Sequence, residues 1–249
     1  MNGAAPVPPN GCPLLRLTAT MNLRHPRFIR PALGTVCAAT LVTVAACNGD
    51  ACFGVDVCFN DNTQTVALSG TAATGGALAS ASVTVSCAQG SATTLTDGGG
   101  NYRITVNAAL PCVITVASGG TSLHSLAYAG GTFNTTPETE LLLVYLAAQL
   151  GTNTAGLIGN FQGNAHFQQV MNNANTVQAA QSAVVTNLQQ RYAVTLSTPA
   201  FLTTPFVVGQ PGVDSDLAAL AKAGAIDSNG MPDATAVSLL TQAGAAQPL

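Results

Sequence analysis

The stretch "ASVTVSCAQGSATTLTDGGGNYRITV", residues 81–106, determines the fold class, because apolar and polar side chains alternate in it. Ala81, Val83 and Val85 share one phase of its first segment, and Tyr102 begins the same alternation in its last segment. A period of two is typical of β-strands with one buried face. The glycines at 98–100 mark a turn before the last segment. The stretch therefore predicts antiparallel strands joined by tight turns.

Similar short segments fill residues 64–133. "TVALSG" (65–70) precedes a turn at Gly75 and Gly76, and "CVITVA" (112–117) follows the quoted stretch. Short strands that are separated by Gly turns at intervals of roughly ten residues favour an antiparallel β-sandwich. We assign residues 64–135 to this sandwich.

Residues 70–106, "GTAATGGALASASVTVSCAQGSATTLTDGGGNYRITV", resemble the carboxypeptidase regulatory-like domain, a transthyretin-like (prealbumin-like) β-sandwich. The resemblance implies a prealbumin-like fold and an accessory, binding or spacer role. This copy differs from many members of the family in carrying a cysteine pair. The matching positions are Gly70, a Gly turn, Ala81 before Val83 and Val85, Thr96-Asp97, Gly100 and Tyr102.

One catalytic branch of the transthyretin-like fold, the hydroxyisourate hydrolases, does not match. That family uses His and Arg residues together with a C-terminal Tyr-Arg-Gly-Ser motif, and this tetrapeptide does not occur here. After residue 46 the chain holds only His124, His166, Arg103 and Arg191 of these two residue types. We therefore transfer no hydrolase activity to this chain.

The pattern changes in "TTPETELLLVYLAAQLG", residues 135–151, which carries the signals of a helix. Thr136 is placed to cap the helix and Pro137 to occupy its first position. Glu138 and Glu140 in the first turn complement the helix dipole, and Gly151 follows the end. The apolar run between them is shorter than the about 20 residues that span a bilayer, so we expect a buried helix.

The remaining sequence predicts further helices. Residues 164–191 carry apolar side chains at helical spacing, which indicates one amphipathic helix whose polar face consists of Gln and Asn. That face is interpreted as solvated, with partner binding as the alternative. Prolines in 197–212 predict an extended linker, and two short helices are expected near 214–223 and 233–243. The predicted class is α+β, an antiparallel β-sandwich (prealbumin-like) followed by an α-helical region at 136–249.

Charge separates the first part of the chain from the rest. Four of the 7 basic residues precede Cys47, and all 10 acidic residues follow it. From Met21 a short basic region is followed by an apolar stretch (31–44) and by small residues, which is the layout of a secretory signal. The apolar stretch is too short for a transmembrane helix. Residues 1–20 fit no part of this layout, so we expect translation to start at Met21.

Residues 41–47, "LVTVAAC", resemble the lipobox of bacterial lipoproteins. In that family the Cys at the cleavage site is lipidated and becomes the mature N-terminus, which would be Cys47 here; the alternative is an ordinary signal peptide. By the same resemblance Asn48 implies delivery to the outer membrane, and two or more acyl chains make the attachment stable. The predicted divisions are a leader at 1–46, a tether at 47–63, the sandwich and the helical region, with the membrane as partner through the lipid anchor.

Four further cysteines follow Cys47 and agree with export. An even number in an exported chain predicts two disulfides, for which three connectivities exist. Cys87 and Cys112 both fall on the inward phase of their strands, so we pair them and leave Cys52 to pair with Cys58. A zinc site is the rival interpretation, but no C-x-x-C pair occurs among these cysteines.

The charge balance restricts the partners. From residue 47 onward the chain has 3 basic and 10 acidic side chains, a formal net charge of −7. This sign disfavours nucleic acid and anionic lipid.

Groups that could carry a reaction are few. Neither His124 nor His166 lies in a nucleophile motif. "DSNGMPD", residues 227–233, lacks the ligand order of a calcium loop and is interpreted as a turn, so no metal or cofactor is indicated.

We therefore expect a lipid-anchored, disulfide-bonded envelope protein that is not an enzyme and that binds an envelope protein or glycan or serves a structural role. The first alternative is an envelope enzyme with a site between the sandwich and the helices. An exposed pocket that gathers His124 or His166 with Glu138 or Asp97 would favour the enzyme. The second alternative is a passive spacer.

Overall fold

The structure is a computed structural model that describes residues 63–249 in full. Before residue 63 it describes only the backbone of three short strands, which pair antiparallel in the order β1-β2-β3. The predicted start at Met21 and, apart from that backbone, the predicted leader and tether lie outside the described residues. The three strands are β1, Ala45–Cys47; β2, Asp50–Phe53; and β3, Val57–Asn60.

A six-stranded sheet forms the first half of the fully described part. Its order is β6-β5-β7-β4-β9, and β8 also pairs with β7. The neighbours are antiparallel except for β9, which runs parallel to β4. Val83 and Val85 are buried while Ser82 is exposed, so the alternation in the sequence is the alternation of the two faces. The strands are β4, Gln64–Thr71; β5, Ser82–Gln89; β6, Ser91–Leu95; β7, Asn101–Ser118; β8, Thr121–Ala127; and β9, Gly131–Thr132.

Strand β7 is shared by two sets of neighbours. Its first half pairs with β4, from Asn101 to Ala108, and its second half pairs with β5 on one side and β8 on the other. The partners change between Ala108 and Ala109, shortly before the cis peptide between Leu110 and Pro111. The sequence pattern suggested separate segments at 101–106 and 112–117, but the structure joins them in one strand of 18 residues.

Helix α1, Pro137–Gln149, begins where the sequence predicts. The Thr136 side chain accepts a hydrogen bond from the main-chain N–H of Thr139, and the Thr139 hydroxyl accepts one from the N–H of Thr136. Nearly every residue of α1 is buried, because the helix packs against β8 on one side and against later helices on the others. The predicted buried helix is confirmed.

The other helices correct one prediction. The single helix expected at 164–191 is wrong, because the chain breaks at Asn172 and Asn173. The Asn173 side chain accepts hydrogen bonds from the main-chain N–H groups of Asn175 and Thr176 and so starts a new helix. The helices are α2, Thr154–Asn160; α3, Ala165–Met171; α4, Ala174–Tyr192; α5, Val213–Lys222; and α6, Ala234–Ala245.

The predicted α+β class, with strands before helices, is confirmed, and the two short helices expected near the end are α5 and α6. The linker at 193–212 has no regular secondary structure and contains a turn at 201–203. Within residues 63–249 no single helix is long and apolar enough to cross a membrane. Helix α1 and residues 154–163 together have the length and composition of a membrane span. These two segments meet at an angle of 83°.

Candidate functional site

A disulfide joins Cys87 of β5 to Cys112 of β7, as the strand phase predicts. The two residues are direct register partners, and both side chains are fully buried. The strand register also places Cys52 opposite Cys58. The side chains of that second pair, and the side chain of Cys47, lie outside the described residues, so the second disulfide and the lipidation stay predictions.

His124 and Glu140 meet where the sheet contacts α1. His124 Nδ1 lies 2.9 Å from Glu140 Oε2, and the same oxygen accepts a hydrogen bond from the main-chain N–H of His124 at 2.7 Å. The Thr139 hydroxyl donates to the His124 main-chain oxygen at 2.9 Å. The first turn of α1 therefore satisfies polar groups of β8 that the sheet leaves unpaired.

The enzyme alternative requires a histidine beside Glu138 or Asp97, and the structure does not bring these residues together. Glu138 is fully buried, His166 is exposed on α3, and Asp97 lies in the turn before β7. Neither histidine therefore faces the carboxylate that the alternative assigns to it, and His124 pairs with Glu140 instead.

Glu138 is the residue whose environment the sequence does not reveal. Both of its carboxyl oxygens are buried and have no hydrogen-bond partner within the described residues. Burial, and then the charge of Asp216, raises the pKa of Glu138 to about 8. From the sequence, the helix dipole alone accounted for Glu138, and nothing near it in the sequence indicates Asp216.

Two turns in the fold have the same design around an aspartate. Asp97 accepts hydrogen bonds from the main-chain N–H groups of Gly99 and Asn101, and Asp227 accepts them from those of Asn229 and Met231. The main-chain bonds from Asn101 and from Met231 are the main reason that the pKa of each aspartate lies below its ordinary value. The interpretation of 227–233 as a turn is confirmed.

Within the described residues no three Cys, His, Asp or Glu side chains are close enough together to hold a metal.

Two shallow grooves run along the outer side of β4 and share Ser69 and Arg103. The first has a volume of about 530 Å³ and is lined mainly by the β4 segment from Gln64 to Ser69. The second has a volume of about 480 Å³ and extends past Asn101 to Pro205 and Phe206. We call the two together the Arg103 groove. Hydroxyl, amide and main-chain groups supply most of its polar atoms.

Arg103 is the cationic residue of this groove. Its register partner on β4 is Ser69, and its own side chain is exposed. In the fully described part of the chain no carboxylate lies within ion-pair distance of Arg103, since the one pair found there joins His124 and Glu140. Asp97 lines the far end of the second groove, where hydrogen bonds from Asn101 and Gly99 already hold its carboxylate. The guanidinium is therefore available to an anionic group of a ligand.

In comparisons with known proteins, no family model, curated protein or solved structure matches the chain.

Proposed function

We propose that this chain is a lipid-anchored protein of the bacterial cell envelope, attached through Cys47 to the outer membrane, with a non-catalytic binding or structural role. The observation that carries the proposal is the position of Cys47, directly after a basic and then apolar leader. The buried disulfide between Cys87 and Cys112 supports it, because disulfides persist in oxidising compartments.

Intact mass spectrometry of the membrane fraction tests the anchor. We expect a chain that begins at Cys47 and carries the mass of acyl groups, and we expect the Cys47→Ser variant to lack that mass. Cys37→Ser, within the leader, is the matched control and should leave the anchor intact. An unmodified chain, or acylation that survives Cys47→Ser, would overturn the lipoprotein assignment.

We propose further that residues 64–135 form a prealbumin-like sandwich of the carboxypeptidase regulatory-like type. Two of the matching positions, Gly70 and Tyr102, support this assignment, because they lie next to each other in the structure. A Cβ atom at Gly70 would collide with the main-chain oxygen of Phe133 and would lie 2.7 Å from the Tyr102 hydroxyl. Because β4 pairs with the first half of β7 and β5 with the second half, a bend in β7 could place them in facing layers. An experimental structure in which β4 and β5 face each other across a core would support the assignment, and one in which they lie side by side in a single layer would refute it.

The Arg103 groove is the proposed binding surface, and a glycan that carries a single acidic group is the ligand class that fits it. The lining hydroxyl and amide groups can pair with sugar hydroxyls, and Arg103 can pair with a carboxylate or phosphate. The formal net charge of −7 from residue 47 onward disfavours nucleic acid, because that charge repels a polyanion as a whole.

Calorimetric titration with an oligosaccharide that carries one uronic acid residue and with its neutral counterpart tests this surface. We expect binding of the acidic sugar alone, weakened at least about tenfold by Arg103→Gln, since charge-assisted hydrogen bonds contribute roughly 1.5–3 kcal/mol. Arg191→Gln, which removes the arginine over the Tyr192 ring, is the control and should bind as the wild type does. Equal affinities for the two arginine variants would exclude the groove.

A second candidate, an envelope enzyme with its site between the strands and the helices, is favoured by the pair of His124 and Glu140. With the proton on Nδ1 toward Glu140, Nε2 of His124 could accept a proton from a substrate. Hydrolysis of p-nitrophenyl acetate by His124→Gln and by His166→Gln separates the two functions. Loss of turnover in the first variant alone supports an enzyme, whereas background rates in the wild type and both variants support the binding role.

A further inference from the structure

Glu138 occupies a site that stabilises only its uncharged form. The side chain is fully buried, and both carboxyl oxygens lack a hydrogen-bond partner within the described residues. An ionised carboxylate in such a place loses its hydration and gains no donor in return. A neutral carboxyl group loses far less, so the site favours a bound proton.

Asp216 is the second buried carboxyl group in this region. It lies in the first turn of α5 and accepts hydrogen bonds from the Ser197 main-chain N–H at 2.8 Å and from the Ser197 hydroxyl at 2.6 Å. In each of these bonds the Asp216 carboxyl group is the acceptor. The charge of Asp216 opposes the ionisation of Glu138.

The surrounding elements offer no compensating cation within the described residues. Helices α2 and α6 carry no charged side chain, and neither does the linker at 193–212. His124 of β8 faces Glu140, while Arg191 of α4 lies over the Tyr192 ring. Of the ionisable residues of α5, namely Asp214, Asp216 and Lys222, the one that acts on Glu138 is Asp216, and it opposes ionisation.

We propose that Glu138 is a proton-dependent element of the fold, which stays neutral in the folded protein because its buried carboxyl group has no hydrogen-bond partner among the described residues, and whose deprotonation destabilises the packing around the first turn of α1. Glu138 has an ordinary pKa of 4.5, and its pKa in the folded chain is about 8. Between these two values the folded chain holds one more proton than the unfolded chain. The contribution of Glu138 to the free energy of unfolding is therefore fully present at low pH, and it decreases as pH rises through this interval.

Urea unfolding of the full-length chain from pH 5 to pH 9 tests the proposal. For the wild type we expect the unfolding equilibrium constant to rise by up to about tenfold per pH unit and to level off above about pH 8. Glu138→Gln should remove that rise and should be more stable than the wild type at pH 8. Asp227→Asn is the control, because the titration of Asp227 lies below the interval, and this variant should keep the wild-type slope.

Infrared difference spectroscopy provides a second readout that does not depend on unfolding. The wild type at pH 6 should show the C=O stretch of a protonated carboxyl group, and this band should be absent from Glu138→Gln. Parallel pH slopes in wild type and Glu138→Gln, or no such band, would overturn the proposal. An unfolding midpoint that rises with added Ca²⁺ and falls with a chelator would also overturn it, because a cation would then neutralise the two carboxylates.

Discussion

The Tyr102 hydroxyl donates a hydrogen bond to the main-chain oxygen of Phe133, and Gly70 lies against this bond. Tyr102 belongs to β7, whereas Phe133 belongs to the segment that leads into α1. Burial raises the pKa of the Tyr102 phenol, so the hydroxyl keeps its proton and remains a donor. The bond therefore joins the sheet to the start of the helical region.

Gly70→Ala should destabilise the fold, because the added methyl group would collide with the Phe133 main-chain oxygen. Overpacking of a buried site costs about 1–3 kcal/mol, and we expect a loss of unfolding free energy in this range by urea titration. Gly76→Ala is the matched control, because a Cβ atom there meets nothing within 4 Å. Equal stability of the two variants would show that β4 can move away from Phe133.

Tyr102→Phe removes the hydroxyl and leaves the buried Phe133 oxygen without that donor. The expected loss is about 1–2 kcal/mol of unfolding free energy, measured by thermal or urea unfolding. Tyr128→Phe serves as the control, since within the described residues the Tyr128 hydroxyl forms no hydrogen bond and its ring instead packs edge-on against Phe133. A Tyr102→Phe variant as stable as that control would mean that water replaces the lost donor.

Asn134→Ala should be among the most damaging single polar substitutions. The Asn134 amide nitrogen donates to the main-chain oxygens of Phe201 and Thr204 at 2.9 and 2.7 Å, and its side-chain oxygen accepts from the Thr71 N–H at 3.2 Å. Since buried main-chain groups lose their partners, we expect a loss of at least about 2 kcal/mol, measured by urea unfolding.

Asn107→Ala is the control for Asn134, because Asn107 is exposed and, within residues 63–249, its side chain bonds only to the Thr65 hydroxyl. The control should change stability by less than about 0.5 kcal/mol. Equal effects at both positions would show that the linker at 193–212 docks on the sheet without the Asn134 amide.

The double variant Cys87→Ser/Cys112→Ser should lose about 3–4 kcal/mol, because the disulfide closes a loop with a sequence separation of 25 residues. The measurement is urea unfolding under non-reducing conditions, with alkylation and mass spectrometry to count free thiols. Cys52→Ser/Cys58→Ser is the comparison and should cost less, since the shorter loop restricts the unfolded chain less. Free thiols at Cys87 and Cys112 in the wild type would contradict the pairing.

Local signals were enough to predict β4, β5 and the β-strand character of β7, the start of α1 and one disulfide, but not that β7 runs unbroken over 18 residues. Thr136 and Pro137 act within one helical turn, and the phase of Cys87 is set by its immediate neighbours, so both can be deduced from short windows. The break between α3 and α4 was missed because helical spacing continues across Asn173, although the asparagine there was an available cap signal.

The buried polar contacts could not be predicted, because their partners are distant in the chain. Glu138 meets the charge of Asp216, and Asn134 binds main-chain atoms of a linker that follows four helices. An amide or carboxylate has the same local pattern whether it is exposed or buried, so only the tertiary structure distinguishes the two situations.

The central position of α1 has a consequence during the proposed export. Its most extensive partner is α6, and the two helices approach so closely at Gly244 that a Cβ atom there would clash with the Tyr145 main chain. An exported chain enters its compartment with the N-terminal end first, so the apolar surface of α1 stays exposed until α6 has followed it. During that interval α1 is a target for a holding chaperone, and the length of the interval depends on the speed of export.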